Sequence, residues 1–139
     1  MKISQLMTKK PIFLDEKATV LEAIKKMENV GCGILPIGND AQHIKGVVTD
    51  RDIMIRAVAK NKDLNKTPII NIMSKDVVFC EEDGFLQQAV YQMNKHNIRR
   101  VLVKDKNQFL LGILSLGDII RRVQDKSLLA NLFKETTVS

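Results

Sequence analysis

From Thr19 onward the apolar positions fall at helical spacing. Val20, Ala23, Ile24 and Met27 recur at i, i+3, i+4 and i+7 behind a Thr19-x-x-Glu22 capping pattern, which predicts an amphipathic helix ending near Gly31. Ahead of it, Ile3 to Met7 reads as a short apolar turn or helix. Pro11 then holds Lys10 out of the helical region, so Ile12-Phe13-Leu14 is read as extended. Behind the helix, the apolar runs Ile34-Leu35-Pro36-Ile37 and Ile44 to Val48 flank the turn residues Gly38-Asn39-Asp40 and predict a strand pair. Pro36 has no N–H for a sheet ladder, so its strand is expected at an edge or with a local irregularity. After Thr49 the period is helical again, with Ile53, Met54, Ala57 and Val58 expected on one buried face.

That order of elements occurs twice. Gly46-Val47-Val48-Thr49-Asp50-Arg51-Asp52-Ile53 returns as Gly112-Ile113-Leu114-Ser115-Leu116-Gly117-Asp118-Ile119, an offset of 66 residues (112 − 46). The same offset carries Met7 to Met73, Phe13 to Phe79, Met27 to Met93 and Arg56 to Arg122 without a gap. The chain is a tandem duplication of one supersecondary unit rather than a short-repeat solenoid. A reading by copies gives 1–60 as the first repeat, 61–67 as a linker, 68–126 as the second repeat and 127–139 as a terminal helix and tail. In the second copy the expected strands are Val77 to Phe79, Arg100 to Val103 and Leu111 to Leu114. Its first helix carries Leu86, Ala89, Val90 and Met93. Leu128, Leu129, Leu132 and Phe133 predict a last helix packed on its own core or on a second subunit, before Thr136 to Ser139 fray.

Composition narrows the classes. A chain of 139 residues is one domain or two very small ones, and a unit of about 60 residues buries little surface alone, so the copies are expected to share a core. No apolar run approaches the roughly 20 residues that span a bilayer, and Lys2 is followed by no apolar segment of secretory type, so the expected location is cytoplasmic. Cys32 and Cys80 lack metal or redox spacing and read as reduced thiols. A net charge of +6 favours anionic partners without choosing among nucleotide, nucleic acid and lipid.

Catalytic sets are thin. His43 falls in a turn and His96 at a helix end, with no third group placed beside either, and Glu81-Glu82-Asp83 reads as charge ahead of a helix start. No enzyme is expected. Nucleic acid is the rival partner, from a sequence pI of about 9.4 and the basic pairs Lys9-Lys10, Arg99-Arg100 and Arg121-Arg122. Aromatic content of 4%, with no aromatics between the basic residues, removes stacking platforms and argues against it. A ligand-free partner-interaction module is the third reading.

Thr49-x-x-Asp52 and Ser115-x-x-Asp118 read in two ways. They are capping boxes at helix starts, or a hydroxyl and carboxylate that present hydrogen-bond partners to the phosphate and ribose of a nucleotide. The doubled constellation resembles the tandem CBS domain pair, or Bateman module, and in particular small stand-alone bacterial CBS-pair proteins. The resemblance rests on Met7-Thr8 and Met73-Ser74, on Gly33-Ile34-Leu35-Pro36-Ile37 and Ile98-Arg99-Arg100-Val101-Leu102-Val103, and on the two Gly-x-x-Ser/Thr-x-x-Asp segments. It implies an α/β (α+β) fold of two tandem β-α-β-β-α repeats packed about a pseudo-twofold axis, with two clefts for an adenosine nucleotide (AMP, ADP or ATP). No required cofactor and no catalytic residue are implied, and a homodimer with a regulated partner protein is. Carried over residue by residue, Thr49, Asp52, Ser115 and Asp118 hold ribose and phosphate. The adenine walls are Lys10, Pro11 and Ile12 with Gly33 and Ile34, and Asp76, Val77 and Val78 with Arg99 and Arg100. The chain departs from the family pattern in having Leu102 where the first copy has Pro36, and its two copies differ in that the second has Arg99 and Arg100 where the first has Gly33 and Ile34.

Overall fold

A computed structural model of the chain describes residues 1–9 and 12–133. Helices and small sheets alternate. The elements are α1 (Val20–Val30), β1 (Ile34–Gly38), β2 (Ile44–Thr49), α2 (Asp50–Ile53), β3 (Phe79–Glu81), α3 (Leu86–His96), β4 (Arg100–Lys104), β5 (Leu110–Ser115), α4 (Leu116–Arg122) and α5 (Lys126–Phe133). The 66-residue offset carries α1 onto α3, β1 onto β4 and β2 onto β5 at both ends.

The copies in sequence and the compact units in space are different partitions. One unit is Ile12–Val77, and the other joins Met1–Pro11 to Val78–Ser139. The leading segment of each copy therefore folds with the other copy. Thr8 bridges Ile113 beside β5, and at the same offset Ser74 bridges Val47 beside β2. Each unit has its own apolar core. Val20, Ala23, Leu35, Ile37, Val48, Ala57 and Ile69 fill one, and Ile3, Leu86, Ala89, Val101, Val103, Leu114 and Ile119 fill the other.

Local chemistry explains the helix ends. Thr19 caps α1 by accepting from the Glu22 N–H, and Gly31 closes it in the left-handed region at φ 75°, where a residue without Cβ is not strained. The next two N–H groups of α1 donate to the 61–67 segment, Val20 to the Thr67 carbonyl and Leu21 to that of Leu64, both at 2.9 Å. That segment is thus pinned to a helix start. Leu86 of α3 makes the equivalent bond to the Met1 carbonyl at 2.9 Å.

Four expectations are corrected. Ile12 to Leu14 forms no regular strand, and only Leu14 bridges Ile37 in parallel. The cause is Pro36, whose carbonyl accepts from the Leu14 N–H at 2.8 Å, so that its nitrogen faces the same side and has no hydrogen to give. Leu102, its counterpart, donates to the Val78 carbonyl at 3.0 Å, and the three residues of β3 pair with β4 as a result. Pro36 itself sits mid-ladder opposite Val47, in a two-stranded sheet where β1 is the edge strand expected of it. The register irregularity falls one step later, between Ile37 and Gly38, and recurs between Val103 and Lys104 where there is no proline. The second copy's first strand is Phe79–Glu81, two residues later than expected, because the ladder begins at the Leu102 bond.

The helical face after Thr49 also divides. Ile53 and Ala57 are buried, while Met54 and Val58 are 62% and 53% exposed. Past Ile53 the helix widens into an i→i+5 turn over Met54–Val58, with the Ala59 N–H on the Met54 carbonyl at 2.9 Å, while Ile120, the counterpart of Met54 in the regular helix α4, is exposed as well. Glu81-Glu82-Asp83 spans the end of β3 and a tight turn, and no acidic residue occupies the first turn of α3. The terminal stripe of α5 packs on its own unit's core through Leu128, Leu129, Leu132 and Phe133. The expected fraying of Thr136 to Ser139 lies outside the described residues.

Candidate functional site

Each unit builds the same strand-to-helix junction. In the Ile12–Val77 unit, Thr49 ends β2 and caps α2. Its hydroxyl accepts from the Asp52 N–H at 3.1 Å, and Asp52 Oδ2 accepts from the Thr49 N–H at 3.0 Å. Ser115 and Asp118 repeat this at 3.0 and 3.1 Å. The capping reading is therefore satisfied in both copies. It leaves each hydroxyl its proton and each carboxylate its Oδ1 oxygen, so capping and ligand binding are compatible uses of one pair.

The strand before each helix supplies the flank. Ile34 lies directly opposite Thr49 across β1 and β2, and Arg100 directly opposite Ser115 across β4 and β5. Residues directly opposite on antiparallel strands share a face, so the Arg100 side chain stands beside the Ser115 hydroxyl. Gly33 and Arg99 instead use their carbonyls to accept the first helical N–H, from Asp50 at 3.0 Å and from Leu116 at 2.8 Å. The structure thus brings Gly33, Ile34, Thr49 and Asp52 together in one unit and Arg99, Arg100, Ser115 and Asp118 in the other.

The adenine-wall candidates are less gathered. Lys10 and Pro11 lie outside the described residues. Ile12 packs, half-buried, on the core of the unit that holds Gly33 and Ile34. Val78 packs on the other core and belongs with the two arginines, while Val77 falls in the Ile12–Val77 unit and donates to the Lys75 carbonyl at 3.1 Å.

The glycine of each Gly-x-x-Ser/Thr-x-x-Asp motif has a packing reason. A Cβ on Gly46 would lie 2.8 Å from the Ser74 carbonyl oxygen, and one on Gly112 would clash still more closely with that of Thr8, because the exchanged leading segments run directly over these positions. Arginines fasten the same segments. Arg56 Nη1 donates to the Ile72 carbonyl at 2.9 Å and to Ser74 Oγ at 3.1 Å, and Arg122 Nη1 donates to the carbonyls of Leu6 at 2.6 Å and Met7 at 3.2 Å. Their pairing at the 66-residue offset was the available signal, although their bonding partners, distant in sequence, were not readable.

Charge around the two carboxylates differs. Asp118 is the buried charged residue among those described, and its Oδ1 receives Arg121 Nη2 at 2.7 Å. Asp52 is more open and has Arg56 Nη2 at 3.6 Å. The Asp118–Arg121 spacing of three helical residues was the sequence signal for that pair. Elsewhere, burial raises the Cys80 thiol above its ordinary pKa, and the His43 side-chain hydrogen bond, with a backbone bond from Gln42, holds exposed Asp40 below the usual carboxylate value. A groove of about 420 Å³ lined by Phe79, Glu81, Asp83, Phe85, Gln88 and Gln92 shares no residue with either junction. Among the described residues, no group of three His, Cys, Asp or Glu side chains is arranged to hold a metal, and no helix is long and apolar enough to cross a membrane.

A family model described as CBS domain matches residues 3–58 and 69–125. YlbB of Bacillus subtilis (strain 168) is 35% identical over 119 residues, which is 85% of this chain and 79% of its own. Among solved structures, the CBS domain protein PAE2072 from Pyrobaculum aerophilum, complexed with AMP, superposes with a TM-score of 0.80 at 29% identity, over 96% of this chain and 99% of its own. The CBS domain pair of protein MJ0100, in complex with 5′-methylthioadenosine and S-adenosyl-L-methionine, gives 0.77 at 29% identity, over 87% and 94%.

Proposed function

The chain belongs to the CBS domain family, as a tandem pair, and from that premise we propose that it is a regulatory module that binds an adenosine nucleotide reversibly and leaves it chemically unchanged. The observation that carries the reading is the doubled hydroxyl and carboxylate at a strand-to-helix junction, Thr49 with Asp52 and Ser115 with Asp118, linked by reciprocal capping bonds that leave each carboxylate with further acceptor lone pairs. Ribose hydroxyls suit the carboxylates, and phosphate suits the hydroxyls and the helix-start N–H groups. AMP in one relative, and methylthioadenosine with S-adenosylmethionine in another, support an adenosine ligand of some kind. AMP, ADP and ATP are the ligands proposed for this chain. Arg100, on the face of Ser115, is the proposed phosphate contact in its unit, where the other unit has Ile34. The module is proposed to act as a cytoplasmic homodimer on a partner protein.

Calorimetric titration with AMP, ATP and adenosine tests this. Saturable binding is expected, weakened in Asp52→Asn and Asp118→Asn, with a preference for phosphorylated ligands that falls in Arg100→Ala and survives in Arg99→Ala. ATP recovered by chromatography should be intact. Turnover of ATP, or binding indifferent to both carboxylates, refutes the reading. Affinity for RNA or duplex DNA that collapses with salt would favour nucleic acid instead.

A further inference from the structure

The two junctions carry the same hydrogen-bonding groups in two different charge settings. Asp118 Oδ2 accepts the Ser115 N–H and Oδ1 accepts Arg121 Nη2 at 2.7 Å, with the carboxylate side chain 9% exposed and the guanidinium arm 68% exposed. Gly117 makes room for the arm, since a Cβ there would stand 3.1 Å from Arg121 Nη1. The 66-residue offset places Ile55 at the position of Arg121 and Arg51 at that of Gly117. Asp52 has instead the more distant Arg56, at 3.6 Å, whose Nη1 is committed to Ile72 and Ser74.

A carboxylate offers about four lone-pair positions, of which Asp118 uses one for Ser115 and one for Arg121. Two remain, enough for the two hydroxyls of a ribose. Arg121 can therefore stay paired while a sugar binds, and its charge offsets that of the carboxylate. Without it, a phosphate brought near the junction would meet the Asp118 charge with no cation paired to that carboxylate, leaving Arg100 alone to offset both.

We propose that Arg121 sets the ligand-charge preference of the Ser115–Asp118 junction: it neutralises Asp118 without consuming the ribose positions, so that this junction accepts a phosphorylated adenosine ligand. The Thr49–Asp52 junction, with Ile55 in that place, favours an uncharged or cationic one. The proposal rests on the adenosine reading above. Because the arginine is largely exposed, its effect is that of a screened surface pair, about two- to fivefold in affinity.

The test uses the full chain carrying Asp52→Asn, which isolates the Ser115–Asp118 junction, with AMP and adenosine as probes. Adding Arg121→Gln should weaken AMP about two- to fivefold at low salt, leave adenosine unchanged and lose its effect in 0.5 M salt, and Arg121→Lys should restore AMP binding. In the Asp118→Asn chain, Ile55→Arg should strengthen AMP over adenosine at the other junction. Ile55 is 44% exposed, so the fold tolerates the exchange. Equal loss of both ligands in Arg121→Gln, or loss of neither, overturns the proposal while leaving the adenosine reading intact. Binding that ignores Asp118→Asn and Asp52→Asn overturns both.

Discussion

Replacing Gly112 by alanine tests whether the exchanged leading segment is held as described. The added Cβ would clash with the Thr8 carbonyl oxygen and lie 3.0 Å from its carbon and 3.4 Å from Lys9 Cα, so backbone rather than a pliable side chain must move. Gly112 is outside the positive-φ region, which leaves crowding as the source of strain. Moving Thr8 away breaks its two bonds to Ile113, at 3.1 and 3.3 Å. Those bonds contribute about 0.5–1.5 kcal/mol each and overpacking costs about 1–3 kcal/mol, offset by about 0.4–1 kcal/mol from a stiffer unfolded chain. The net loss is about 1–6 kcal/mol. With a urea slope of about 1–3 kcal/mol per molar, the unfolding midpoint should drop by at least roughly 0.3 M, and native-state exchange of the Ile113 amide should accelerate. Gly46→Ala is the internal control. Its Cβ meets the Met73 sulfur at 2.6 Å, which can swing away, and the Ser74 carbonyl oxygen at 2.8 Å, a milder conflict. An unchanged midpoint in Gly112→Ala, or an equal drop in Gly46→Ala, refutes the reasoning.

Two further outcomes follow from the same geometry. A fragment of residues 12–77 should melt cooperatively by circular dichroism where 1–65, nearly equal in length, does not, because 1–65 lacks Ile69–Ser74 and carries Met1–Thr8 without its β5 partner. The reverse ranking would contradict the partition. Cys80, its thiol pKa raised by burial, should resist alkylation at pH 8 until the chain unfolds. The folded state then holds its proton longer than the unfolded one, so this group's contribution to stability is complete below the ordinary thiol range and declines as pH rises through it. A midpoint that rises over that range, or rapid native-state labelling of Cys80, would count against it.

What was legible in the sequence followed from short-range rules. The helix over Val20–Val30, its Thr19 cap and its Gly31 stop were written in spacing and residue type, and so were both Ser/Thr-x-x-Asp boxes. The 66-residue offset supplied the duplication. It could not say which copy each leading segment completes, because an exact repeat aligns Thr8 with Ser74 equally well for either partner. The missing strand at Ile12 to Leu14 required knowing that the Pro36 nitrogen faces that segment rather than β2. Met54 and Val58 fitted the apolar pattern but lie exposed, and periodicity does not reveal the i→i+5 turn in which they fall. At the site, the paired hydroxyls and carboxylates were visible, whereas Arg121 and Gly117 mattered only once their side-chain geometry was known.

The exchange of leading segments also bears on how such a chain could have arisen. A polypeptide with one copy would have an uncovered strand, an arginine without carbonyls to bind and a leading segment without a strand to bridge. Two such molecules could cure all three defects by trading that segment, which is domain swapping between identical chains. Joining the copies end to end turns the trade into an event within one molecule, independent of protein concentration and paired once and for all. It also frees the two copies to diverge at positions such as Ile55 and Arg121, since neither must any longer serve as its own partner.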